Sequence, residues 1–165
     1  LVTPELFRQF PDAKSLADGP IETIEELIHS TGFYHNKARN IKGFCQSLVN
    51  DHGGVVPNTM KELVKMPGVG RKTANVVLQE LYNVTDGFVV DTHVLRVSKR
   101  LGLSKSKDAI RVEKELMAVV PANYWIDLSL YLIFLGRQVC VARKPRCHEC
   151  VLADICPSST YHPSE

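Results

Sequence analysis

The sequence predicts an all-α fold built as two helical lobes. Three observations carry this reading. Apolar residues recur at three- and four-residue spacing through most of the 165 residues. Capping residues, glycines and prolines mark where successive helices start and stop. Strand signals are weak, with Gly87–Val90 the only candidate.

The elements follow in order. Thr23 with Glu26 reads as a capping box ahead of Leu27 and Ile28. Lys37 to Leu48 carries apolar residues at Ala38, Ile41, Phe44, Cys45 and Leu48, which is helical spacing. Cys45 falls on that stripe and reads as a small core residue. Thr59 with Glu62 caps a short helix through Val64, which Pro67, Gly68 and Gly70 break. A second helix runs from Arg71 to Tyr82, and Asp91 opens another through Leu101, stopped by Gly102. Val112, Leu116, Val119 and Val120 line a further helix that Pro121 ends. Trp125–Val139 is the most apolar helix and is expected at the centre. The loop at Thr85–Gly87 is the expected seam, giving lobes 1–84 and 85–165.

A hydrophobic share of 44% supports a packed core and excludes global disorder. The longest apolar run, Leu130–Leu135, is far short of the ~18 residues of a membrane span, so no membrane partner is expected. The net charge of +2 is spread unevenly. Residues 1–30 hold six acids and two bases, while residues 31–165 hold twelve acids and eighteen bases. Leu128 to His148 has no acid but contains Arg137, Arg143, Lys144 and Arg146. Such a stretch suits a polyanion, with an ordinary solvated face as the alternative. No secretory signal leads the chain, so a cytoplasmic setting is expected.

Four of the five cysteines crowd together as Cys140, Cys147, Cys150 and Cys156, with six, two and five residues between them. In a cytoplasmic protein such crowding favours a metal centre over disulfides. By spacing alone, zinc and an iron–sulfur centre both fit.

Met66-Pro67-Gly68-Val69-Gly70-Arg71-Lys72 joins two helices by a tight turn. Both glycines can adopt positive φ and allow close approach of another backbone. The helix that follows presents N–H groups without intrahelical partners, and these bind anions. The geometry can grip a DNA phosphate without reading sequence. Gly68, Val69, Gly70, Arg71 and Thr73 are therefore candidate DNA contacts, with a plain helix–helix turn as the alternative. Lys72 lies in the first helical turn, where the dipole disfavours a cation. That position, with the burial expected there, favours a neutral amine able to attack carbon. The alternative is that Lys72 contacts phosphate as Arg71 does.

The run from Leu63 to Asn75 around this turn resembles the helix-hairpin-helix of the endonuclease III family of bifunctional DNA glycosylases. Val90-Asp91-Thr92-His93 resembles that family's second signature, with Asp91 nineteen residues after Lys72. The resemblance extends from about Leu6 to Cys156. It implies a two-lobed helix-hairpin-helix glycosylase fold with a C-terminal iron–sulfur loop. It further implies that Lys72 attacks C1′ of a flipped nucleotide, expels the base and forms an imine that permits β-elimination. Asp91 would stabilise positive charge on the sugar, and it also stands where a helix N-cap belongs. His93 would support the pocket or a phosphate. Related adenine glycosylases lack the lysine and thymine-mismatch glycosylases carry tyrosine, so Lys72 implies lyase activity.

Thr31 to Ala38 resembles the family loop that inserts a side chain into the duplex. Phe33 matches the wedge position, usually aliphatic, and Lys37 follows as a DNA contact. An apolar wedge replaces stacking lost when a base leaves, worth roughly a few kcal/mol. The four cysteines match the family's cluster loop, which implies a [4Fe-4S] cluster in a structural role. Arg143, Lys144 and Arg146 would then meet DNA phosphates. The implied partner is double-stranded DNA holding a damaged pyrimidine, most often oxidised, or an abasic site. The chain is expected to be monomeric and nucleoid-associated in a prokaryote. Family members carry several dozen residues before the point matching Leu1, including a helix of the cluster lobe and a glutamine-bearing loop. A chain starting at Leu1 is expected to lack one pocket wall and to act more slowly. Two rival readings are a non-catalytic helix-hairpin-helix module and a zinc-stapled interaction domain.

Overall fold

A computed structural model describes residues 2–161. Among them there are α-helices and short 3-10 turns and no strand. The chain divides into two compact units, Leu1–Ala74 and Asn75–Glu165. That boundary falls inside a helix, whereas the sequence placed the seam at the following loop.

The first unit contains α1 (Thr3–Gln9), α2 (Ala13–Asp18), α3 (Ile21–Ile28), α4 (Tyr34–His52), α5 (Met60–Leu63) and the start of α6 (Arg71–Tyr82). Helices α2 and α3 pack on α4. Leu6, Phe10, Leu16, Ile24, Ile28, Ala38 and Cys45 form the core between them. Cys45 is buried as expected, and burial pushes its thiol up. Asp12 caps α2: its Oδ1 accepts from Ser15 N at 2.7 Å, and Ser15 Oγ accepts from Asp12 N at 3.2 Å. The capping box expected at Thr23–Glu26 does not form. Pro20, fixed at φ −63°, starts α3 at Ile21, so both residues lie inside the helix. Thr59 does cap α5, accepting from Glu62 N.

The second unit contains the rest of α6, then α7 (Thr92–Arg100), α8 (Ala109–Val119) and α9 (Trp125–Gln138). Helix α7 packs on α9 and α8. Phe88, Val90, Val94, Val97, Val112, Leu116 and Leu132 fill the space between them. Gly87–Val90, the one weak strand candidate, forms no strand, in keeping with the all-α reading. Phe88, Val89 and Val90 are buried as a plug between helices, and Val89 N–H donates to Ser129 Oγ rather than to a ladder. Helix α9 is less central than its composition suggests. It buries only the stripe Ser129, Leu132 and Gly136, while Leu130, Tyr131 and Phe134 face solvent. Among the described residues beyond α9 there is little regular structure: one 3-10 turn at Cys147–Glu149, with Ala153 the buried apolar residue. No helix among the described residues is long and apolar enough to cross a membrane.

Candidate functional site

In the first unit the hairpin is a closed turn. Val69 N–H donates to Met66 O at 3.1 Å, with Pro67 and Gly68 as the central pair. Gly68 has φ +74°, the value a type II turn demands at its third position. A Cβ on Gly68 would lie 2.6 Å from Asn40 Cβ, so the turn is seated directly on α4. Pro67 meets α4 again at Gly43. Leu63 and Met66 anchor the approach from inside the core.

Of the two glycines only Gly68 uses the left-handed region. Gly70 does not, because the single reversal at Gly68 completes the turn. Its carbonyl accepts from Ala74 N at 2.9 Å, which makes Gly70 the cap of α6. Nothing lies within 4 Å of a Cβ built there, so the start of α6 faces open space. Lys72 occupies the second residue of α6, as read from the sequence, but it is exposed rather than buried. The buried stripe of α6 is Ala74, Asn75 and Leu78, and Lys72 points away from it. Thr73 is exposed beside it, Arg71 is partly covered, and Val69 is half-buried.

Helix α4, on which the hairpin sits, begins at the candidate wedge. Phe33 is its N-cap, with φ +58° and 85% of its surface in water. A non-glycine residue held left-handed costs roughly 1–2 kcal/mol, and such strain gathers at functional positions. The Tyr34 ring stacks between His29 and His35, bracing the loop. Lys37 is exposed on the first turn of α4, and its N–H donates to Phe33 O at 3.1 Å. The first unit thus brings the hairpin, Phe33 and Lys37 onto one helix.

In the second unit Asp91 caps α7. Its Oδ1 accepts from His93 N and Val94 N, both at 2.8 Å. One carboxylate oxygen therefore fixes the side chain, and Oδ2 has no hydrogen-bond partner among the described residues. His93 Nδ1 lies 3.2 Å from Arg96 Nη2, a supporting position rather than a reacting one.

The same helix carries the cysteine loop. Arg96 donates to Gly136 O at 2.8 Å and to Cys140 O at 3.2 Å. Arg100 Nη1 lies within 3.2 Å of both Cys140 O and Cys140 Sγ, and 2.8 Å from Val141 O. Its Nη2 reaches Ala142 O at 3.0 Å. Sequence reading missed both arginines. Their signal was the spacing His93, Arg96, Arg100, which lies on one helical face.

Cys140, Cys147, Cys150 and Cys156 line one cavity, floored by Val97, Leu101 and Leu135. The Thr160 hydroxyl beside Cys147 holds its thiol below the usual range, which favours the thiolate that metals need. Among the described residues no three candidate ligands converge tightly enough for a single ion. Four thiols around one cavity instead fit a cluster, whose irons each take one cysteine. In the loop between the first two cysteines Arg143 and Lys144 project into solvent. Arg146 folds back: it donates to Gln138 O and pairs with Glu149 at 3.1 Å.

Comparison with known proteins accounts for this arrangement. The profile of HhH-GPD superfamily base excision DNA repair proteins matches residues 1–122. That of the iron-sulfur binding domain of endonuclease III matches residues 140–156, which begin and end on Cys140 and Cys156. Endonuclease III of Synechocystis sp. is 54% identical over 96% of this chain and 72% of its own length. The structure of a non-covalent endonuclease III–DNA complex superposes with a TM-score of 0.89 at 42% identity, over 95% of this chain and 73% of that one. A trapped endonuclease III–DNA covalent intermediate superposes with a TM-score of 0.90, also at 42% identity, over 95% and 74% of the two chains. The four-cysteine loop, the Pro-Gly hairpin and these likenesses agree that the chain belongs to the endonuclease III family of base excision DNA repair proteins.

Proposed function

We propose that Lys72 is the nucleophile, and Asp91 the charge-stabilising carboxylate, of a reaction on a damaged pyrimidine nucleotide flipped from double-stranded DNA. The chain is a base-excision DNA glycosylase and abasic-site lyase, and it carries a [4Fe-4S] cluster. One observation supports Lys72 above its neighbours. Its amine stands exposed in the first turn of α6, beside a helix start that faces open space at Gly70.

The chemistry follows from these groups. Lys72 Nζ attacks C1′, and the bond from C1′ to the base breaks with its electron pair leaving on the base. Asp91 Oδ2 stabilises the positive charge that builds on the sugar, while Oδ1 stays locked in the cap. One proton passes from nitrogen to the departing base, and the second passes to O4′ as the sugar ring opens, which gives the imine. Loss of the C2′ proton then expels the 3′ phosphate, which nicks the strand. Phe33 fills the gap left by the base, and Lys37, the hairpin from Gly68 to Thr73, and His93 hold the strand. When bound, the [4Fe-4S] cluster supplies iron–thiolate bonds, which Cys140, Cys147, Cys150 and Cys156 would furnish. Oxidised pyrimidines are the proposed lesions, acted on by a monomer at the nucleoid.

Borohydride reduction on DNA with an abasic site tests the reading. The native chain should leave a covalent adduct with the strand. Lys72→Ala should leave none and lower strand scission by at least about a thousandfold. If Lys72→Ala still nicks at the native rate, Lys72 is not the nucleophile. The same assay with a panel of damaged bases ranks the lesions.

A further inference from the structure

Glu113, on α8, is the one buried side chain of formal charge among the described residues, with 3% of its surface exposed. It has no part in the chemistry above. Burying a carboxylate costs several kcal/mol, and an apolar residue of similar volume often serves packing as well or better. Its neighbours explain why a carboxylate stands there. Asn75 Nδ2, itself fully buried, donates to Glu113 Oε1 at 3.0 Å. A Cβ on Gly87 would lie only 2.0 Å from that same oxygen and 3.0 Å from Asn75 Nδ2. The carboxylate therefore fills the place where any other residue at position 87 would put its side chain.

Gly87 begins the buried segment Phe88–Val90, and that segment ends at Asp91. No strand neighbour sets its register; apolar burial and the hydrogen bond from Val89 to Ser129 hold its middle. Apolar contacts are non-directional, and at the segment's entry Gln79 Nε2 donates to Gly87 O at a long 3.5 Å. The amide–carboxylate pair is directional and shorter, and it holds Glu113 Oε1 packed on Gly87, which locates the segment's entry beside Asn75 of α6, one turn beyond Lys72. We infer that Glu113 is a positioning residue: through Asn75 and Gly87 it fixes the chain that delivers Asp91 to its cap. The consequence for catalysis rests on the role given to Asp91 above.

Three variants of the full chain test this: Glu113→Leu, Glu113→Gln and Gly87→Ala. The first readout needs no activity. Hydrogen exchange at the His93 and Val94 amides, both bonded to Asp91 Oδ1, should speed up at least about tenfold in Glu113→Leu and Gly87→Ala. Exchange at the Cys45 amide in the other unit should not change. Glu113→Gln keeps an oxygen for Asn75 and should restore most of the protection. The second readout is single-turnover base excision, expected to fall about tenfold or more in Glu113→Leu with DNA affinity held within about twofold. Native exchange at His93 and Val94 in Glu113→Leu would overturn the proposal, and so would a loss that Glu113→Gln fails to recover. Gly87→Ala perturbs the carboxylate from the opposite side, so the question stays open to measurement if Glu113→Leu folds poorly. Failure of the native chain to excise any base would strike the catalytic reading and leave the exchange result to judge this one.

Discussion

The hairpin at residues 66–72 and the loop at 140–156 are both tight, both cationic, and built on opposite principles. The hairpin is complete in backbone terms. A bonded turn closes it, Leu63 and Met66 bury beneath it, and Gly68 sits against Asn40. The loop has one 3-10 turn and little core, and the carbonyls of Cys140, Val141 and Ala142 are held by Arg96 and Arg100. A segment closed by its own turn on a buried base needs nothing added, whereas one held largely by side chains of a neighbouring helix leans on an added staple. The difference teaches where each should fail.

The largest contrast concerns the cluster. Cys150→Ser should abolish the iron–sulfur absorbance near roughly 400 nm. It should also lower Tm by roughly 10 °C or more. Far-UV circular dichroism should lose little, because residues 140–156 hold no α-helix. Collapse of the helical signal in this variant would erase the distinction between the two regions.

Within the hairpin the two glycines should separate. Gly68→Ala forces a left-handed alanine into Asn40 and should destabilise by about 1–3 kcal/mol in urea unfolding. Gly70→Ala meets open space and should stay within about 0.5 kcal/mol of native. Its methyl occupies the surface where a phosphate would rest, so DNA affinity should fall about tenfold. Equal unfolding of the two variants would mean that the hairpin does not rest on α4 as described.

Phe33→Asn sharpens the division between fold and function in a single residue. Asparagine tolerates the left-handed backbone, and the Phe33 ring buries almost nothing. Tm should hold or rise by about 2 °C, while excision slows about tenfold. A lower Tm would show that the ring supports the fold.

The smallest effect lies in the cations of the loop. Arg143→Ala and Lys144→Ala should each reduce the salt slope of DNA binding by ~0.9 with stability unchanged. Arg146→Ala should lower stability and leave the slope nearly as it was, since its guanidinium is tied to Gln138 and Glu149.

Much of this was legible in the sequence because the signals were local. The bounds of α6 follow from Pro67, the glycines and the apolar period, and all lie within a few residues of one another. Asp91 as a cap and the cysteine spacing are equally short-range. What escaped was tertiary. Arg96 and Arg100 reach carbonyls some forty residues away, and Glu113 meets Asn75 across thirty-eight positions. The exposure of Tyr131 and Phe134 escaped for another reason: periodicity marks an apolar helix without saying how much of it is covered. Burial of Lys72 was inferred from chemistry, and its direction on α6 decided otherwise.

With Phe33 as the wedge, its left-handed perch bears on how damage is found. A ring already standing in water has nothing to unlock. Under that proposed role, no loop would have to swing out before a base step is probed on intact duplex. The tempo of inspection would then follow how readily each pair parts, with lesions that loosen their own pairing met first.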